Sequence, residues 1–390
     1  MEQNDHRDLS ESLGPAFVAQ QSFEKSLNSE MAHAKDVKLS SLSIVLGPSF
    51  PKRPLFNHCK NPTAEHYCIP YINLPILRQF SIFFGTLWAI FTRLPVRSKI
   101  DIMYLATSYA PVTLGAKIAS RFNKAKTVLT LTDLASFSYR SERVSQMSHL
   151  HQRTIKSYRR FAKWVESSAD AYVLFSSGMQ QAVNFGKAPF IIMEGMFTAG
   201  ELNVRPNPAL SEPIIAHAGT LNRQYGIAYL LDSFEQVKAP GAQLWLIGSG
   251  DMDDEITARS QGDTRIKFLG FRPRDEVFTL LSQARLLINL RDPRDEYTKH
   301  SFPSKVFEYL VSGVPLASTR LDGIPGEYFS YIIPLESKNA ASTALEIEDI
   351  LKESTDALKA RGIQGRNFVL NHKNPNAQTS RVLEFLHTLK

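Results

Sequence analysis

The sequence predicts an α/β chain of two domains built around parallel sheets, and three observations predict it. Short Val/Ile/Leu-rich runs alternate with helix-length segments, the pattern of strands covered on both faces. The alternation occurs twice, on either side of a stretch holding Pro206, Pro208 and Pro213. A length of 390 residues suits two or three domains at roughly 150 residues each. The composition, 43% hydrophobic and 21% charged, excludes a disordered or fibrous chain.

In the first half, the strand-like runs are 37–47, 101–108, 127–133 and 170–179. Between them, 75–96 is the longest apolar stretch. It is uncharged only from Gln79 to Thr92, short of the ~20 residues that cross a bilayer. Its apolar positions 76, 77, 80, 83, 84, 87, 88 and 91 form one broad helical face, suited to a core or to a membrane surface. In the second half, strands are expected at 214–219, 244–250, 266–270, 286–290 and 315–319. Helices are expected at 227–237, 253–260, 274–284 and 304–312.

Two cysteines, Cys59 and Cys68, are too few for a disulfide framework, so free thiols in a reducing compartment are expected. The start, MEQNDHRDLSES, lacks the basic and apolar regions of a secretory signal.

Parallel sheets bind ligands beyond the carboxyl ends of their strands, which directs attention to the loops there. Gly219 and Thr220 open a loop ending at Gly226 before a helix, either an anion site or an ordinary turn. Gly248-Ser249-Gly250 is too short to be a dinucleotide fingerprint. Asp251-Met252-Asp253 reads either as a metal-binding pair or as acids favoured by a helix N-terminus.

The segment HSFPSKVFEYLVSGVP (300–315) is the most specific. Phe302-Pro303 leads into a helix that Ser304 is placed to cap, and Gly313-Val314-Pro315 ends it. Lys305 falls in the first turn, where a cation opposes the dipole unless an anion also sits there. Glu308, three residues on, shares its helix face. The two form either a surface pair or a ligand pair.

From AHAGTL through LIGSGD, FLGF and FPSKVFEYLVSGVPLAST, residues 214–333 resemble the donor-binding half of glycosyltransferase family 4, retaining enzymes of the GT-B fold. The first half is similar in architecture only, through TVLTLTDLASF and ADAYVLFSSGM. The resemblance implies two Rossmann-like domains facing across a cleft. Residues 1–194 would bind the acceptor and 195–375 the donor, with a helix over 376–390 returning to the first domain. It implies transfer of a hexose-type sugar from a UDP- or GDP-linked donor to a polysaccharide or polyprenyl-diphosphate-linked acceptor, with no metal or other cofactor.

Residue by residue, Glu308 takes the second Glu of the family's E-x7-E motif, which holds the ribose hydroxyls. Phe302 takes the Phe position, Pro303 replaces the Gly, and His300 replaces the first Glu, which contacts the donor sugar. The family's diphosphate-binding Arg and Lys read Thr220 and Tyr225, leaving Arg223 and Lys305 as the available cations. The expected catalytic residues are therefore Asp133, His300 and Lys305. The expected donor contacts are Gly219, Thr220, Arg223, Gly248, Phe271, Phe302, Pro303, Ser304, Lys305 and Glu308. Asp133, at the end of its strand, reads equally as a turn former.

A same-face displacement of this kind needs positioning and charge neutralisation rather than the paired carboxylates of glycoside hydrolysis. Two rival classes stay open: a noncatalytic GT-B partner subunit, and a GT-B nucleotide-sugar epimerase.

The net charge of +7 is unevenly spread. Between Leu74 and Lys163, fifteen Lys/Arg face three acids, so that segment is either a solvated basic face or a surface for phosphates. A lipid-linked acceptor would bring it to an anionic membrane, with Phe83, Phe84, Trp88 and Phe91 at the interface. The expected location is therefore cytoplasmic, peripheral at the inner face of the membrane. Nucleic acid is not an expected partner, since no reading module accompanies the basic stretch.

Overall fold

The computed structural model describes residues 15–44, 50, 54–57, 66–93, 100–132, 134, 149–183, 186–198 and 212–389. The chain divides into two compact units. The first takes the chain up to Phe175, Met179–Glu194 and the chain from Gln378 on; the second takes Ser176–Gly178 and Gly195–Ala377.

The first unit opens with helix α1 (Pro15–His33). Strand β1 (Ser41–Ser43) pairs in parallel with β3 (His66–Cys68), while β2 (Phe56–Asn57) pairs antiparallel with β4 (Tyr71–Ile72). The eleven-residue run at 37–47 thus yields a strand of three residues. Cys68 is disulfide-bonded, which corrects the expectation of free thiols.

Helix α2 (Pro75–Thr92) follows, starting with Pro75 in its first turn, where the missing N–H costs nothing. Four parallel strands come next, β5 (Ile102–Leu105), β6 (Lys126–Leu131), β7 (Ala171–Leu174) and β8 (Phe190–Ile192), neighbours in that order. In β6 every residue after Lys126 is buried, because both faces of the sheet are covered. Helices α3 (Ala110–Asn123), α4 (His149–Glu166) and α5 (Met179–Ala182) connect the strands.

Helix α2 is apolar on two opposite faces. Ile82, Thr86, Ala89 and Ile90 are buried. Leu77, Phe80, Phe84, Trp88 and Phe91 share the other side at 43–62% exposure. No described helix is long and apolar enough to cross a membrane.

The second unit is a six-stranded, wholly parallel sheet: β9 (Ile214–Thr220), β10 (Gln243–Ser249), β11 (Ile266–Gly270), β12 (Leu286–Asn289), β13 (Leu316–Thr319) and β14 (Ile333–Leu335). Helices α6 (Ile227–Phe234), α7 (Asp253–Gly262), α8 (Arg274–Leu281), α9 (Glu296–His300) and α10 (Lys305–Ser312) alternate with the strands. Helices α11 (Ala340–Lys352), α12 (Thr355–His372) and α13 (Pro375–Thr388) close the chain, and α13 is grouped with the first unit from Gln378 on.

The spatial order is β11-β10-β9-β12-β13-β14. Counted from β9, the chain winds outward one way through three strands and then returns to wind the other way. The winding reverses between β9 and β12, the point beyond whose carboxyl ends a sheet of this kind binds its ligands. The sheet's burial comes from Ile215, Leu244, Leu246, Leu286, Leu287, Ile288 and Leu316, all fully enclosed.

Candidate functional site

At the reversal point, the ends of β9 and β12 are shaped by close backbone approaches. Gly248 at the end of β10 pairs with Gly219 of β9 at φ +139, and a Cβ there would collide with the Gly219 carbonyl. Gly226, at φ +79, lets the loop after β9 lie directly on the Leu290 carbonyl and Arg291 Cα beyond β12. The two loops therefore form one wall.

Helix α10 delivers the charged pair. Lys305 Nζ donates to Glu308 Oε2 at 2.6 Å, and both side chains stay partly exposed, at 39% and 23%. A side-chain carbon on Gly219 would lie 3.6 Å from Lys305 Cε, so the lysine stem crosses the end of β9. Gly313, left-handed at φ +75, ends the helix as the sequence predicts. Ser304 occupies the N-cap but its side chain makes no capping bond, which corrects that expectation. Its backbone is already helical at φ −52 and ψ −26, a conformation unlike the extended one a capping side chain needs.

Tyr309 anchors α10 to β9. Its hydroxyl donates to the Ala218 carbonyl and accepts from the Ala218 amide, both at 2.8 Å. Burial pushes its pKa up, so it stays a neutral phenol.

Beside it, His217 hydrogen-bonds the Ile288 carbonyl through Nδ1 at 3.0 Å. The proton on Nδ1 leaves Nε2 as an acceptor, on the side facing Gly219. Burial first, and then the charges of Arg291 and Lys305, lower the His217 pKa to about 4, so the ring is neutral near pH 7.

The cations divide unexpectedly. Arg223 is bonded through its guanidinium to Glu255 of α7, and its backbone N–H donates to Asp251 Oδ1 at 2.8 Å. Arg291, which the sequence reading missed, lies 4.7 Å from the centre of the Tyr225 ring and 5.8 Å from that of Tyr297. The signal was an arginine directly after the strand run LLINL, at the strand end that borders the reversal point.

The other expected residues lie as follows. Asp133 is outside the described residues. Thr220 is exposed at the tip of β9. His300 is buried at the end of α9, with Nε2 3.2 Å from Glu296 Oε1. Phe302 is buried against Phe307 and Tyr328, with ring centres 5.0 and 5.4 Å away, and Pro303 is buried beside it. Phe271 follows the edge strand β11, two strands from β9, with 74% of its surface exposed. Asp253 accepts from the Gly250 amide at 2.8 Å, so this aspartate and Asp251 shape the loop through backbone hydrogen bonds. No group of three or more His, Cys, Asp or Glu suited to a metal occurs among the described residues.

Residues 212–353, which include this whole arrangement, match the family model described as glycosyl transferases group 1. The chain carries a group 1 glycosyltransferase domain. No curated protein sequence matches it.

Among solved structures, sucrose-phosphate synthase from Thermosynechococcus elongatus is similar with TM-score 0.62 and 16% identity, over 95% of this chain and 93% of that one. Anabaena Alr3699/HepE in complex with UDP is similar with TM-score 0.59 and 16% identity, over 83% and 86%. A glycosyltransferase from Rickettsia africae is similar with TM-score 0.58 and 15% identity, over 83% and 84%. The group 1 domain thus sits in a chain of the GT-B fold.

Proposed function

We propose that this chain is a retaining glycosyltransferase that moves a hexose-type sugar from a nucleoside diphosphate sugar to a saccharide acceptor without a metal ion. The observation that carries the reading is the Lys305–Glu308 pair at the reversal point of a group 1 glycosyltransferase domain. Lys305 is a cation in the first turn of α10, where a bound anion relieves its conflict with the helix dipole. Glu308 then accepts hydrogen bonds from the ribose hydroxyls, and Lys305 neutralises charge on the departing diphosphate. Neutral His217 offers an acceptor at Nε2 without adding a third charge beside the phosphates. HepE was solved with UDP and with UDP-glucose, which favours a uridine donor here.

The acceptor is proposed to be a saccharide carried on a lipid diphosphate at the inner membrane face. Support comes from helix α2 and its surroundings in the first unit. The exposed Phe80, Phe84, Trp88 and Phe91 are extended by Phe122 of α3, whose ring centre is 5.8 Å from that of Phe91. Arg93, Arg121 and Lys124 lie exposed at the ends of the same helices. Apolar side chains rimmed by cations suit an anionic lipid surface.

A thermal-shift panel of UDP- and GDP-sugars tests the donor assignment, since a ligand of the folded state raises the melting temperature with ln(1 + [L]/Kd). A rise with one nucleotide series supports it; no shift with either at millimolar concentration contradicts it.

A further inference from the structure

We infer that Arg291 provides, with Lys305, the second cation for the donor's diphosphate, and that Tyr225 and Tyr297 hold its guanidinium in place. The identity of the ligand rests on the nucleotide-sugar reading above; the existence of a diphosphate site at Arg291 does not.

Position is the first argument. A doubly wound sheet binds its ligand where the winding reverses, and Arg291 is the second residue after β12, on one side of that reversal. Gly226 seats the loop that follows β9 directly on Leu290 and Arg291, so this arginine borders the reversal from the β12 side. Lys305 reaches it from above Gly219 at the end of β9. The charges of both cations lower the pKa of the buried His217, so both lie near that ring.

The second argument is the state of the guanidinium. No carboxylate bonds to Arg291 among the described residues. The adjacent Asp292 is engaged by Arg294, through Nε at 3.0 Å and a terminal nitrogen at 2.7 Å. Arg223, the cation within the loop after β9, is held by Glu255. Arg291 instead lies over two tyrosine rings, whose own centres are 6.0 Å apart. Stacking orients a guanidinium while leaving its in-plane N–H groups for an anion, and a planar fork matches phosphate oxygens in pairs. The Arg291 carbonyl accepts from Thr319 Oγ1 at 2.7 Å, which fixes the backbone beneath.

A third observation concerns Tyr297. Its hydroxyl is buried and makes no hydrogen bond of good geometry, although the Arg291 guanidinium lies close enough to act on it. Burial raises its pKa to about 12 against the pull of Arg291, so it remains a donor, and a phosphate oxygen beside Arg291 would satisfy it.

The test titrates the full chain with inorganic diphosphate, UDP, GDP, uridine and guanosine by calorimetry. The variants are Arg291→Met, Arg291→Lys and, as a control, Arg294→Ala. Arg291→Met should lose at least tenfold in affinity for inorganic diphosphate and for the nucleoside diphosphate that wild type binds. Nucleoside affinity should stay within twofold. Arg291→Lys, which keeps the charge and loses the fork, should fall between the two and serves should the Met variant fold poorly. Arg294→Ala should match wild type.

Equal weakening of nucleoside and diphosphate with a lowered melting temperature would mean a structural role and overturn the inference. So would undiminished diphosphate affinity in Arg291→Met. Arg291-dependent binding of inorganic diphosphate without binding of UDP or GDP would uphold the site and remove the donor reading. A wild type that binds none of the phosphorylated probes removes both.

Discussion

Lys305 Nζ lies 2.6 Å from Glu308 Oε2, and the same lysine stem crosses Gly219 at the end of β9. One helix face therefore carries a cation and a carboxylate to the place where the sheet reverses its winding. An exposed i,i+3 pair contributes only about 0.3–0.5 kcal/mol to stability. Its removal should therefore be felt in binding more than in folding.

For Glu308, the Glu308→Gln variant should keep its melting temperature within a few degrees and lose donor affinity. A charged acceptor shared by two hydroxyls is worth roughly 1.5–3 kcal/mol, a ten- to hundredfold change in Kd. Calorimetry with the nucleotide that binds wild type checks this, and unchanged affinity removes Glu308 from the ribose.

Lys305→Ala should separate turnover from nucleoside recognition. A cation aimed at a leaving diphosphate acts where charge develops, so kcat should fall by about 10²-fold or more while uridine or guanosine affinity holds. Wild-type kcat in this variant would place the neutralising charge elsewhere.

His217 makes stability depend on pH. Its pKa falls from 6.5 to about 4 on folding, so between those values the unfolded chain binds a proton that the folded chain refuses. Stability contributed by the neutral ring is complete above about pH 6.5 and is lost as pH falls toward 4. Between pH 7 and 5 the loss from this group is about 2 kcal/mol. Urea midpoints at both pH values should therefore converge more closely in His217→Gln than in wild type. Identical pH dependence in the two proteins would show that His217 carries no such penalty.

The membrane reading predicts salt-sensitive binding to anionic vesicles through α2. Each Lys/Arg near an anionic surface adds about 1 kcal/mol, and the exposed aromatic face adds apolar burial. Sedimentation with anionic vesicles should weaken at high salt and weaken again in Phe84→Ser/Trp88→Ser. Both side chains are on the exposed face, so the variant should stay folded. Equal binding to neutral vesicles, or none to either, would turn the acceptor assignment toward a soluble saccharide.

The second unit was largely legible because its strands are buried on both faces. LWLIG and LLINL read as continuous apolar runs, and the structure places strands at Gln243–Ser249 and Leu286–Asn289. The short helix Glu296–His300 escaped, since five residues carry no periodic signal. The first unit was less legible, as three-residue strands such as Ser41–Ser43 contain too few residues to show alternation.

At the site, sequence reasoning found Lys305 and Glu308 because they share a turn. It missed Arg291 and His217, whose relation to that pair exists only once β9 and β12 lie side by side. Arg223 was named from its proximity in sequence to Gly219, but nothing in the sequence shows that Glu255 of α7 reaches it.

The most direct measurement follows nucleoside diphosphate release from a panel of UDP- and GDP-sugars, with and without saccharide acceptors, by chromatography. A retaining transferase should release the nucleotide slowly from at least one donor without acceptor, lose that release in Lys305→Ala, and retain the anomeric configuration in any transferred product. No release from any donor under either condition would contradict this reading and indicate a noncatalytic partner subunit. Conversion of the donor sugar to its epimer would contradict it in favour of an epimerase.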